Sequence, residues 1–329
     1  MKALMYHYVR PVPEQLHFFR YLHIDHFRTQ LDYLQGAFGF VTRDAFERSI
    51  ETGMPDSGAV LTFDDGFTDH YRHVAPLLQE RGLWGIFYVP TGIYSRGKLL
   101  DVHRIHLLLG VHGGARCMAA LETFVTDDML PDRAVDEFRS MTYARQSNDE
   151  ATTAFKRSLN YFISYEHRED VLDRLMAHFF PGEDEGRTAQ EFYVSPTELR
   201  KMSDSGMVIG SHGVSHRLMS KLSVVEQRRE IEASFGTLAE MTRRPVETFC
   251  YPYGGFRSFT LETERLLTEI GSRYTFNVEA RDITSQDLQG RPQALPRYDC
   301  NLFPYGQASI GPTLADVDNK FNANNKVFQ

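Results

Sequence analysis

Short apolar runs rich in β-branched and aromatic residues recur along the chain, reading ALMYHYV, AVLTF, GIFYV, MVIGS, TFCYPY, YTFNV and ALPRY in order. Segments between them place apolar residues three and four apart, the spacing of one helical face. Strand-like runs alternating with helical periodicity predict a mainly parallel α/β sheet or barrel. The helical segments carry their own punctuation. Ser195, Pro196 and Glu198 supply an N-cap, a proline at the first helical position and a capping-box acid, and Gly206 closes that helix before MVIGS. Ser223 and Glu226 repeat the device ahead of VVEQRREIEASFGTLAEM, and a helix is expected over Thr68–Arg81 with Gly82 as its stop.

One stretch breaks this rhythm. Between YVPTG and Ser195 lie about a hundred residues where a barrel connection needs far fewer. Its patterns, VHRIHLLLGV, AALETFV, ATTAFKRSLNYFIS and REDVLDRLMAHFF, are helical. The expected organisation is a barrel formed by 1–97 and 193–301, a helical insertion over 98–192 and a C-terminal tail over 302–329. The insertion is expected to cover the strand-end face or to mediate formation of a homo-oligomer. The last residues, NKFNANNKVFQ, are polar enough to be loosely held.

Composition narrows the class of protein. The 329 residues, 42% of them hydrophobic, can bury a full core. A formal charge of −8 and a pI near 5.9 provide no basic field for nucleic acid, and no Lys/Arg-rich run suits an anionic membrane. No apolar stretch is long enough to span a bilayer. The N-terminal MKALMYHYVRPVPEQ makes a poor signal peptide, because His7 and Arg10 interrupt its short apolar run. Cys117, Cys250 and Cys300 are odd in number and widely spaced, which reads as reduced thiols. A cytoplasmic location is the expectation.

The chemistry gathers at strand ends. LTFDDG, residues 61–66, stops an apolar run on two adjacent carboxylates and a glycine. At ~5 Å and an effective dielectric near 20, such carboxylates repel by about 3 kcal/mol. A turn at Gly66 would let both converge on one site, where a cation would reverse the electrostatics. SHGVSH, residues 211–216, follows another strand-like run and sets His212 and His216 four apart, a spacing that brings both imidazoles to one side of a turn. Two imidazoles and one carboxylate form a facial metal set with open positions, although an isolated histidine pair is as often plain loop. FCYPYGG, residues 249–255, constrains the backbone at Tyr253, whose amide could serve as an oxyanion donor or simply belong to a turn with packed aromatics.

In this order TFDDG, HxxxH and a later PYG resemble the polysaccharide deacetylase family, carbohydrate esterase family 4, over roughly residues 3–97 and 193–301. MYHYV, IDHFRTQLDYL and LPRY also resemble the branch acting in surface polysaccharide or lipid-linked sugar pathways. The resemblance implies a distorted (β/α) barrel of about seven parallel strands. It also implies hydrolysis of acetyl groups on N-acetylated, or occasionally O-acetylated, sugars. It assigns Asp64 as general base, Asp65, His212 and His216 as metal ligands, and the Tyr253 amide as oxyanion donor. The implied cofactor is a divalent metal, Zn2+ in first place, with Co2+, Ni2+ or Fe2+ as alternatives.

Two departures stand out. Many members carry an arginine shortly before PYG, but Thr248, Phe249, Cys250 and Tyr251 occupy those positions. Arg297 in LPRY is either its replacement or a surface arginine. The family's usual general acid is a histidine late in the domain, yet none follows His216. His7, brought beside the last strand by barrel closure, is either the substitute acid or a core histidine. His103 and His106 lie in the insertion with only Asp101 nearby and are read as structural. Three functions compete: a metal-dependent deacetylase, a barrel hydrolase of another non-peptide C–N bond, and a catalytically silent sugar-binding homologue.

Overall fold

A computed structural model describes residues 1–12, 16–143, 148–255 and 257–311. All seven apolar runs contribute strands: β1 (Lys2–Tyr6), β2 (Ala59–Asp64), β3 (Ile86–Val89), β4 (Val208–Ser211), β5 (Thr248–Cys250), β6 (Tyr274–Phe276) and β7 (Tyr298–Asp299). They form one parallel sheet in the order β6-β5-β4-β3-β2-β1-β7. The sheet curls into a distorted barrel, because Leu295, just before β7, bridges to Phe276 of β6. Every residue of β2 and β3 is buried, as expected of parallel strands covered on both faces. Ala3, Val60, Ile86, Tyr88, Phe276 and Leu295 are among the side chains that fill the core.

Register then decides what meets at the carboxyl ends. Tyr6 pairs with Phe63, Asp64 with Tyr88, Val89 with Ser211 and Cys250 with Phe276. His7, Asp65 and His212 therefore leave their strands at one level of the sheet. Both expected capping boxes form, Ser195 with Glu198 before the helix Pro196–Asp204 and Ser223 with Glu226 before Val224–Thr242. The helix expected over Thr68–Arg81 forms from Thr68 to Glu80, with a π-helical segment, His70–Val74, running into an α-helix, Ala75–Glu80. Pro76 has no N–H to donate back to the preceding turn, and the Ala75 amide reaches the wider partner, His70 O.

The chain divides into two compact units, the first comprising Met1–Pro11, Tyr21–Lys98 and Gly186–Ala308. The second holds Val12–Arg20, Leu99–Glu185 and the chain from Ser309. Residues 186–192 thus go with the barrel and not with the insertion, because Phe192 and Tyr193 pack their rings on Tyr8 and Phe67. In the second unit the helix Asp101–Leu121, kinked at Gly113, packs with Glu150–Arg157 and Tyr165–Phe179 around Ile105, Leu108, Phe155, Leu172 and Leu175. Arg104 is buried there between Glu185 and Asp173. His103 is fully buried in the same unit, and neither it nor His106 joins a metal-sized group among the described residues. The polar segment NKFNANNKVFQ lies outside the described residues.

Candidate metal centre

Strand β2 ends at Asp64, and the turn begins one residue earlier than Gly66, at Asp65 itself, whose φ is 81°. That left-handed residue swings its carboxylate to the side of the sheet where SHGVSH leaves β4. His212 Nε2 stands 3.5 Å and His216 Nε2 3.3 Å from Asp65 Oδ1, with all three side chains buried. Two ligands each about 2.0–2.1 Å from a tetrahedral ion stand roughly 3.3–3.4 Å apart, so the trio has the spacing of a metal set. The His212 Nδ1–H donates to the Cys250 carbonyl at 2.7 Å, which fixes the tautomer and leaves Nε2 as the lone-pair donor. Burial, helped by neighbouring His216, lowers the His212 pKa to about 4, so the ring is neutral as a ligand must be.

The backbone holds this arrangement under strain. Asp65, His216 (φ 54°) and Tyr253 (φ 64°) are three of the six non-glycine residues with positive φ among the described residues. Each costs about 1–3 kcal/mol, and such strain gathers where a site must be shaped. The loop between the two histidines is gripped on both sides. Its Gly213 and Val214 carbonyls accept from the Thr91 and Gly92 amides, at 2.9 and 2.8 Å. Its Val214 and Ser215 amides donate to Glu230 Oε2 at 2.7 and 2.9 Å, and the Ser215 hydroxyl donates to Glu230 Oε1 at 2.7 Å.

Asp64 occupies different surroundings. Arg297 is 1% exposed and not at the surface, and its Nη1 and Nη2 donate to the two Asp64 oxygens, each at 2.8 Å. The same guanidinium reaches Thr62 Oγ1, Cys250 Sγ and the Asn277 carbonyl. Burial alone would raise the Asp64 pKa, but the Arg297 charge and its hydrogen bonds outweigh it and hold the carboxyl below its ordinary range. Asp64, His212 and Cys250 also cluster closely enough for a metal. The Asp65 set fits better, because Arg297 already takes both Asp64 oxygens and burial pushes the Cys250 thiol well above its usual pKa.

Residues 171–274 match the family model for polysaccharide deacetylase, a span that includes both histidines. Over these residues the chain is similar to polysaccharide deacetylases. No curated protein matches this chain in sequence. Among solved structures it is similar to the Streptococcus pyogenes deacetylase PplD in complex with acetate, at 13% identity and a TM-score of 0.54, covering 91% of each chain. IcaB from Ammonifex degensii is 19% identical with a TM-score of 0.52, covering 91% of this chain and 90% of that one. A de-N-acetylase from Aggregatibacter actinomycetemcomitans is 12% identical with a TM-score of 0.52, covering 97% and 98%. At these identities the likeness speaks for the fold.

His7 Nε2 lies 3.9 Å from Asp65 Oδ2, and its side chain is 39% exposed, so it faces the site from the solvent side and is not a core histidine. The buried His70 donates from Nε2 to the His7 carbonyl at 2.8 Å and so holds the backbone there. The Tyr253 ring packs edge-on against His216 at 5.0 Å, and Gly254 must stay a glycine, since an added Cβ would meet Val278 Cγ1 at 2.4 Å. Three residues around the site escaped the sequence reading: Cys250, His70 and Glu230. None carries a local signal. Cys250 was visible only as the residue standing where an arginine was missed, and Glu230 lies mid-helix, 16 positions from Val214.

Proposed function

We propose that this chain is a metal-dependent hydrolase that removes the acetyl group from an N-acetylated sugar. The observation that carries the reading is the Asp65–His212–His216 trio at tetrahedral-edge spacing beside a second carboxylate, Asp64, kept ionised by Arg297. We assign a divalent ion, Zn2+ before Co2+, Ni2+ or Fe2+, to that trio on its two nitrogens and one oxygen. When bound, such an ion supplies Lewis acidity toward a carbonyl and acidifies a water.

The remaining work falls to the chain. Asp64 is the general base, and its low pKa leaves it ready to accept a proton at neutral pH. The Tyr253 amide donates to the oxyanion that forms as the acetamide carbonyl is attacked. His7, reachable from solvent, gives a proton to the departing nitrogen, which leaves poorly without one. Relatives described as a de-N-acetylase and as a deacetylase in complex with acetate support the choice of an acetyl group. No helix among the described residues is long and apolar enough to cross a membrane. The cytoplasmic location stays part of the proposal, supported by three cysteines that form no disulfide.

The test is metal content and acetate release measured on the same folded samples, using a panel of N-acetylated sugars and nucleotide sugars. Asp65→Ala, His212→Ala and His216→Ala are expected to lose the metal, whereas Asp64→Asn keeps it and loses most turnover. Equal metal retention in all four variants, or no acetate from any substrate with the metal bound, would defeat the reading.

A further inference from the structure

We infer that Glu230 is a positioning residue for the metal set, acting through the loop that joins the two histidine ligands; this rests on the assignment of His212 and His216 proposed above. The ligands are separated by Gly213, Val214 and Ser215, and the three amides and first two carbonyls of that bridge are held from outside the loop or by the preceding strand. The Gly213 amide donates to Ser211 Oγ at 3.0 Å, and Ser211 Oγ is itself 2.6 Å from Ser234 Oγ. The Gly213 and Val214 carbonyls are taken by Thr91 and Gly92. That leaves two adjacent amides, Val214 and Ser215, and both go to one oxygen of Glu230. The other oxygen takes the Ser215 hydroxyl.

A single carboxylate thus closes three bonds on a three-residue bridge, and it comes from a helix fixed at its start by a capping box. Charge-assisted hydrogen bonds to backbone N–H are the strong kind, and the rigid helix makes them directional. The bridge needs such a clamp, because Gly213 at φ 77° and His216 at φ 54° are both left-handed. For His216, which has a Cβ, that conformation is unfavourable, so a loop released from Glu230 would relax it to ordinary φ and turn the imidazole away from Asp65. The neighbouring space is matched too: a Cβ added at Gly213 would lie 3.2 Å from Glu230 Oε2. Both Glu230 oxygens are engaged by the loop, so its effect runs through loop geometry and not through proton transfer.

Zn2+ titration against a chelating indicator, with far-UV circular dichroism in parallel, tests this on the full chain. Residues that orient metal ligands typically change affinity by 10–100-fold, so Glu230→Ala is expected to weaken Zn2+ by about tenfold or more with its folded spectrum intact. Glu230→Gln keeps a carbonyl acceptor for the two amides and is expected to bind within about threefold of wild type, on the same scale of outer-residue effects. The Co2+-loaded Glu230→Ala protein should also show an altered d–d spectrum, which a loss of stability alone would not produce. Wild-type affinity in Glu230→Ala overturns the inference, as does an equal loss in Ala and Gln variants, which would make the charge and not the hydrogen bonds responsible. Should Glu230→Ala fail to fold, Ser215→Ala, which removes one of the three bonds, must still weaken Zn2+; wild-type affinity there overturns the inference. A wild-type chain that binds no Zn2+ defeats the metal assignment itself, a result recognisable before any variant is compared.

Discussion

Replacing Arg297 by methionine, similar in length but uncharged, removes five contacts at once: two to Asp64 and one each to Thr62, Cys250 and Asn277. Breaking a buried ion pair by deleting one partner costs about 3–5 kcal/mol, because the surviving charge is left in a low-dielectric site. The variant has one escape, which is to protonate Asp64, and that caps the loss while disabling the base. The sign of the pH dependence follows. In wild type the folded Asp64 pKa lies below its unfolded value of about 3.9, so its contribution is present above that pH and fades as pH falls through the folded pKa. In Arg297→Met burial acts unopposed and raises the folded pKa, so stability from the protonated form is present at low pH and lost as pH rises through that pKa. The stability gap should therefore be widest near pH 7 and shrink towards pH 4, as read by urea unfolding. The acid limb of kcat/KM should move to higher pH, and Asp64→Asn placed on Arg297→Met should restore part of the lost stability. A gap below about 1 kcal/mol at pH 7, the range of exposed pairs, or a gap that widens on acidification, would refute the reasoning.

Other outcomes follow from the same geometry. His7→Gln should lower kcat on an amide substrate by about 10²-fold or more with unchanged metal content, while sparing an activated ester whose leaving group departs unaided; full amide turnover would remove His7 from the mechanism. The metal-free chain should lose about 3 kcal/mol of stability as pH falls from 6.5 to about 4, since buried His212 has a folded pKa near 4 against 6.5 unfolded; a flat stability profile in that window would contradict it. Gly254→Ala, which forces a Cβ against Val278 at a φ of 73°, should unfold at lower denaturant and reduce turnover together, and an unchanged midpoint would show that the turn has room.

The parallel strands were legible because each is an apolar run closed by polar or turn residues, and the two capping boxes because their signal is local. Strand lengths were not. TFCYPY yields strand only over Thr248–Cys250, since Pro252 cannot donate to a ladder and Tyr253 turns left-handed. Within the site, the Asp and His pairs announce themselves by spacing, whereas Arg297 and Glu230 are placed by register and helix packing over sequence distances that no local pattern spans. His7 faces Asp65 for a simpler reason than barrel closure: β1 lies directly beside β2, and Tyr6 pairs with Phe63.

The pairing of Arg297 with Asp64 joins residues 233 positions apart, and the arginine arrives on the segment that bridges β6 and leads into β7. During synthesis, a chain that has emerged only through β6 already carries Asp65, His212 and His216 but has no guanidinium to neutralise Asp64. The half of the site proposed to bind the ion is thus encoded ahead of Arg297, which keeps the proposed base ionised. Translation that stops short of residue 297 leaves Asp64 without its guanidinium partner, so an incomplete polypeptide lacks the charge that holds this proposed base ionised.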